Sequence, residues 1–304
     1  MNSVRRQFIA PVSFGLGDLV VSLPVVQAAV GAGANSGTET WLVTRSHSQV
    51  ALAERVSGLA GTVPEGDAAI SPPEALIDLR DHPLQRDYWW GSPEFAAAYG
   101  PLSINDIIAR IGTDLGVVGD FSAPAPLEFR GRPDAEGLVL FVADADGMAK
   151  QWAPERWVEL AAAISHRGMR VAVVNRGEGS HQLVDRGIAG LVAATPGDAV
   201  DVLSSCRAVV GVDTGLTHIA AQQGTPTVTL CRTPAVYFRD WDHTRLVAGS
   251  SCDPTCKRDE REYAYNHRVS TATGHPRPRV CRAMLGCLDA IEVGSVMTAL
   301  SELC

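Results

Sequence analysis

The chain alternates short apolar runs with amphipathic stretches, breaks once, and then resumes the same alternation. Such alternation demands parallel sheets, because each amphipathic stretch must cross over a strand and bury its apolar face there. Before the break, Gln7–Phe14, Thr40–Thr44 and Ile77–Leu79 read as strands, and Asp18–Val30 and Ser103–Gly112 as helices. The break is Ser122–Gly137, with Pro124, Pro126, Gly131, Pro133 and Gly137. After it, Leu138–Val142, Arg170–Val174, Ala208–Val212 and Thr227–Leu230 read as strands. Pro154–Arg167, Ala199–Cys206 and Leu216–Gln223 read as helices. A chain of 304 residues is about two ordinary domains long. The expectation is an α/β protein of two Rossmann-like domains, residues 1–130 and 131–304, facing a central cleft. The last helix is free to pack back on the first domain.

Composition narrows the function. Hydrophobic residues make up 46% and charged residues 20%, which fits a packed core and excludes a disordered chain. The net charge of −8 argues against a nucleic-acid partner. The basic residues are lopsided: 24 are arginine, and only Lys150 and Lys257 are lysine. Arg5-Arg6 before an apolar run resembles an export signal, but Gly15, Gly17 and Asp18 interrupt that run. A cytoplasmic chain without a transmembrane segment is expected. Seven cysteines, an odd number, fit reduced thiols.

Three strand-to-helix turns carry candidate chemistry, since ligands of open α/β sheets bind beyond the carboxyl ends of strands. In Val212-Asp213-Thr214-Gly215-Leu216-Thr217-His218 an apolar strand runs straight into a helix start. The amides of Thr214, Gly215 and Leu216 would point at an anion there, although an ordinary N-cap at Asp213 or Thr214 has the same spacing. Lys150 follows Asp144, Asp146 and Gly147 in another such loop, where a compact ammonium suits a diphosphate. Phe14-Gly15-Leu16-Gly17-Asp18 lacks the third glycine of a dinucleotide fingerprint. Asp18 could serve as a general base or simply cap its helix.

These residues, with Gln151-Trp152, Gly224-Thr225-Pro226 and Pro24, resemble glycosyltransferase family 9, the heptosyltransferases of lipopolysaccharide core synthesis. The resemblance implies a GT-B fold and inverting transfer of a sugar, a heptose by analogy, from an ADP-linked donor without a required cofactor. It implies that Asp18 is the general base and that Lys150 binds the diphosphate. Asp213 would contact the donor sugar, Thr214, Gly215 and Leu216 the diphosphate, and His218 would support the turn. Glu178 would take the acidic position that binds the donor ribose.

Two departures from the family qualify that picture. Asp144 and Asp146 stand where small or hydroxyl residues usually bind phosphate, and Asp-x-Asp is a metal motif of another glycosyltransferase fold. A Mg²⁺ requirement for a donor site that includes Asp146 therefore stays open, as does capping by these carboxylates. Residues 1–130 also carry eight arginines against 14 acidic residues. An acidic half disfavours an anionic lipid acceptor and favours a neutral or cationic soluble one, such as an aminocyclitol of antibiotic biosynthesis. A lipopolysaccharide or other surface-glycan acceptor is the alternative, and a non-catalytic sugar-nucleotide-binding protein a further one. On the acceptor side, Gly17, Trp89 and Trp90 are the candidates. Cys252, Cys256, Cys281 and Cys287 could hold a structural zinc, with free thiols or disulfides as alternatives.

Overall fold

The structure is a computed structural model that describes residues 5–70, 75–87, 93–100, 102–145, 150–231, 239–249, 288 and 290–304. The first half holds β1 (Arg5–Ala10), α1 (Leu16–Ser36), β2 (Thr38–Thr44), α2 (His47–Ala53) and β3 (Gly61–Pro64). It continues with β4 (Leu76–Asp78), α3 (Pro83–Arg86), α4 (Pro93–Tyr99) and α5 (Ile104–Asp114). The second half begins with β5 (Leu138–Val142), α6 (Pro154–His166), β6 (Arg170–Asn175), α7 (Glu178–Asp185) and β7 (Ala189–Val192). Then come α8 (Pro196–Ser205), β8 (Ala208–Val212), α9 (Gly215–Gln222), β9 (Thr227–Cys231), β10 (Thr244–Ala248) and α10 (Val293–Ser301). Two parallel sheets result, ordered β3-β2-β1-β4 and β10-β9-β8-β5-β6-β7. This is the expected α/β architecture of two Rossmann-like halves.

Element ends differ from the sequence reading for local reasons. The first strand stops at Ala10 because Pro11 has no N–H for the ladder. The next amide, Val12, donates instead to Ser22 Oγ of α1 at 3.1 Å. α1 outlasts Val30 and closes at Gly37, whose φ of 69° is the left-handed turn that glycine adopts freely. The strands β3 and β7 are four residues each, too short to show alternation, and β7 is a largely exposed edge.

α1 is long and apolar enough to cross a membrane by composition, yet it is the central helix of this fold. It packs on α5, β2 and α9, with Leu19, Leu23, Val25 and Val26 fully buried. Its apolar neighbours include Ile219 and Ala220 of α9, so one core runs from the first half into the second. The second core centres on Trp157, Phe141 and Leu230.

The last helix stays with the second half, against α6, β9 and β10, rather than returning to the first. Its Val296 and Leu300 belong to the second core. Single side chains add further ties between the second half and the first, beside the shared core. Arg239 is buried and donates to Asn105 Oδ1 and to the Val21 carbonyl, both at 2.7 Å. Burial pushes its pKa down to about 9. Trp241 Nε1 donates to the Ser122 carbonyl at 2.7 Å. On the other flank Arg55 reaches both oxygens of Asp201, at 3.0 and 2.8 Å, and the Arg130 amide donates to the same carboxylate.

Candidate active site

In the second sheet the strand order reverses between β5 and β8, and the loops that leave those two strands open onto a crevice. Lys150 lies beyond β5 and Asp213 directly beyond β8. From the first half, α1 brings its N-terminus up to the same crevice. The two helix starts nearly touch: a Cβ added at Gly215 would lie 3.1 Å from the Gly17 amide nitrogen and 3.2 Å from Leu16. Glycine at 215 is what allows that approach. The resulting cleft holds about 990 Å³ and is lined from both halves, by Gly15, Gly17 and Asp18 on one side and Lys150, Asp213 and Gly215 on the other.

Two converging helix N-termini create a positive region that carboxylates and anions relieve. On α9 the Thr214 side chain makes no capping bond. Among the described residues, nothing accepts from the Gly215 and Leu216 amides. These amides are available to an anion in the cleft. Asp213 is fully engaged. Its Oδ1 faces His218 Nε2 at 3.2 Å, and its Oδ2 receives Lys150 Nζ at 3.0 Å. Burial raises its pKa, but the His218 hydrogen bond and the Lys150 charge win and hold the carboxyl well below the usual carboxylate range.

Asp18 is different. Its Oδ2 accepts the Gly15 amide at 2.8 Å in a capping arrangement, and Oδ1 has no protein donor among the described residues. Burial pushes its pKa above the ordinary value, against the Gly15 hydrogen bond and the charges of His218 and Lys150. Asp18 therefore caps its helix with one oxygen and leaves the other to the cleft. A carboxylate moved toward neutral pH with a free oxygen is suited to accept a proton.

The remaining candidates divide. Glu178 is the first residue of α7, exposed at the cleft, with Gln182 Nε2 at 3.5 Å. Gly17 sits against Gly215 and His218, at the junction of the two helices. Asp146, Trp89, Trp90, Cys252, Cys256, Cys281 and Cys287 lie outside the described residues. No group of three or more His, Cys, Asp or Glu side chains is placed to hold a metal among the described residues. Among the described residues, Cys206 and Cys304 are free thiols.

Asp144 has a role that its spacing concealed. Its carboxylate accepts the Gly177 and Ser180 amides, both at 3.0 Å, and so caps α7 from 33 residues away. A side chain at Gly177 would meet that carboxylate at 2.9 Å. Contributors to the cleft that the sequence reading missed include one residue from each half. Arg176 ends the β6 turn as an exposed cation, and Ser46, the N-cap of α2, enters from the first half. The signal available for Ser46 was a capping residue directly after a strand.

Residues 121–266 match the family model of glycosyltransferase family 9 (heptosyltransferase). No curated protein matches the chain by sequence. Among solved structures, the glycosyl transferase family 9 protein of Veillonella parvula DSM 2008 is 14% identical, with a TM-score of 0.66 over 98% of this chain and 97% of that one. The E. coli heptosyltransferase WaaC, solved with ADP, is 14% identical, with a TM-score of 0.64 over 98% of this chain and 100% of its own. TibC of enterotoxigenic E. coli H10407 is an iron-containing dodecameric heptosyltransferase solved with ADP-D-beta-D-heptose. In that complex it is 16% identical, with a TM-score of 0.64 over 100% of this chain and 77% of its own. At these identities the likeness speaks for the fold, which is GT-B.

Proposed function

We propose that this chain, a glycosyltransferase whose residues 121–266 match the family 9 model, moves a heptose from an ADP-linked donor to an acceptor hydroxyl with inversion. The acceptor is a neutral or cationic soluble molecule of the aminocyclitol kind, and the reaction belongs to the cytoplasm. Residues 1–130 form the acceptor half and 131–304 the donor half. One observation carries this reading: a free carboxylate oxygen on α1 shares a cleft with uncapped amides of α9 and the Lys150 ammonium.

The chemistry follows from those groups. The acceptor hydroxyl attacks the anomeric carbon while Asp18 Oδ1 takes its proton. The bond to the diphosphate breaks, and ADP leaves with the electron pair. Lys150 and the Gly215 and Leu216 amides compensate the charge that builds on the leaving group. Asp213 holds Lys150 in place and is itself aligned by His218. Glu178 and Arg176 line the same cleft beside α7, and the donor's ribose and base would extend toward them.

The acceptor assignment rests on charge. The first half is acidic overall; Arg45, next in sequence to the cleft-lining Ser46, is paired with Glu65, and Arg80 with Glu65 and Asp78. Incubating the chain with ADP-heptose and a panel of aminocyclitols, neutral glycosides and anionic lipid-linked glycans tests the proposal. Glycosylation confined to the anionic lipids would favour the surface-glycan alternative. ADP-heptose binding that leaves every acceptor unmodified would favour a non-catalytic binding protein.

A further inference from the structure

A second hollow of about 630 Å³ adjoins the cleft on the first half, at the carboxyl ends of β2 and β3. Its walls include Phe14, Arg45, His47, Val50, Pro64 and Glu65. Phe14 and Ser46 border both the hollow and the cleft, so the two spaces are continuous at that lip. Phe14 is 52% exposed, although it stands only four residues before Asp18 on the same turn. Its carbonyl accepts from Ser46 Oγ at 3.3 Å, which holds the turn against the start of α2.

The polar side of the hollow is electrically closed. Glu65 bonds both Arg45 and Arg80, and Arg80 also bonds Asp78 with Nη2 to Oδ2 at 2.6 Å. Two cations therefore face two carboxylates. A phosphate entering here would have to displace Glu65 from Arg45 and then remain beside that carboxylate. An uncharged hydroxyl meets no such obstacle, since carboxylate, guanidinium and imidazole edges can all exchange hydrogen bonds with it. An amino substituent can donate to the exposed edge of Glu65 without displacing either arginine, because each carboxylate oxygen accepts more than one hydrogen bond.

We propose that this hollow is the acceptor subsite, and that it takes a polyhydroxylated six-membered ring without an anionic substituent, seated on the face of Phe14. The exposed Phe14 ring, with Val50 and Pro64 in the same lining, suits the C–H face of such a ring, while Arg45, His47 and Glu65 can bond its hydroxyls. Because Phe14 and Ser46 border both spaces, a ring held there lies beside the cleft that Asp18 lines. The assignment deepens the acceptor half of the proposed function and depends on that reading for its catalytic meaning.

Donor-free binding tests it separately. Saturation-transfer NMR on the full chain would use myo-inositol, its monoamino analogue and its monophosphate, with thermal melting to verify that each variant is folded. The uncharged and amino rings should bind the native chain better than the phosphate. Phe14→Ala should weaken them by about three- to tenfold, the worth of an aromatic contact, and Phe14→Tyr should preserve binding. Equal binding by Phe14→Ala, loss in Phe14→Tyr, preference for the phosphate, or no binding of any ring at millimolar concentration would each overturn the subsite. Since no donor is present, failure of ADP-heptose turnover would remove the donor reading and leave this result intact.

Discussion

Asp18 and Asp213 are carboxylates at the starts of two helices that meet in one cleft, yet their surroundings drive them in opposite directions. Asp213 has both oxygens matched, by His218 and Lys150, and its charged form is held firmly. Asp18 has one oxygen on the Gly15 amide and is otherwise desolvated, so its charged form is costly. A helix start alone does not assign a role to an acid. What decides is how many donors the fold aims at it, and on that difference rests the proposed division between Asp18 as base and Asp213 as scaffold.

The largest effect should come from removing the free oxygen. Asp18→Asn should lower kcat by about 10²- to 10⁴-fold while ADP binding, measured by calorimetry, stays close to native. Near-native turnover would end the contrast between the two acids. Lys150→Ala should come next, with a loss of about 10²- to 10³-fold in kcat/KM for the donor and weaker ADP binding. Because Lys150 also holds Asp213 down, that variant should bring the Asp213 pKa back toward the usual range. Carboxyl carbon NMR would read the return.

Gly215→Ala should act more modestly, with a loss of about tenfold in turnover. The new methyl would press on the Gly17 amide and Leu16, and the two helix starts must separate by tenths of an ångström. A variant with native activity and melting temperature would mean that their close approach is not needed.

The smallest effects are on pH and stability, and they carry opposite signs. The Asp18 pKa is raised on folding, so the stability that its carboxyl contributes is present at low pH and is lost as pH rises through the folded value. Asp18→Asn should therefore raise the melting temperature at pH 7. For Asp213 the folded value is depressed, and its contribution is present above about pH 3.9 and lost as pH falls toward the native value. Asp213→Asn should lower the melting temperature at pH 7, by an amount that fades in acid. In turnover, the acid limb of kcat/KM should lie above the ordinary carboxylate pKa and should disappear in Asp18→Asn. Shifts of the same sign in the two variants would break the comparison.

The two parallel sheets and the strand-to-helix turn at Asp213–His218 were legible in the chain, for one reason. Each depends on neighbours in sequence: alternating apolar runs, and a strand entering a helix within three residues. Lys150 stood out because a chain rich in arginine kept lysine there, and the structure places it on Asp213, 63 residues away. The roles of Asp144 and Phe14 were not legible. Asp144 caps α7 only because β5 and β6 lie side by side, and Phe14 borders the hollow only because β1 and β2 do.

Local pattern is thus enough to specify the strands, most of the helices, and which turns carry acids, amides and an ammonium. Packing alone determined that α1 and α9 meet end to end, which puts Asp18 into the field of His218 and Lys150. It also determined that Asp213 is satisfied while Asp18 is left with a free oxygen. The reason is physical. Helix and strand propensities act over a few residues, whereas desolvation and charge depend on atoms brought close from anywhere in the chain.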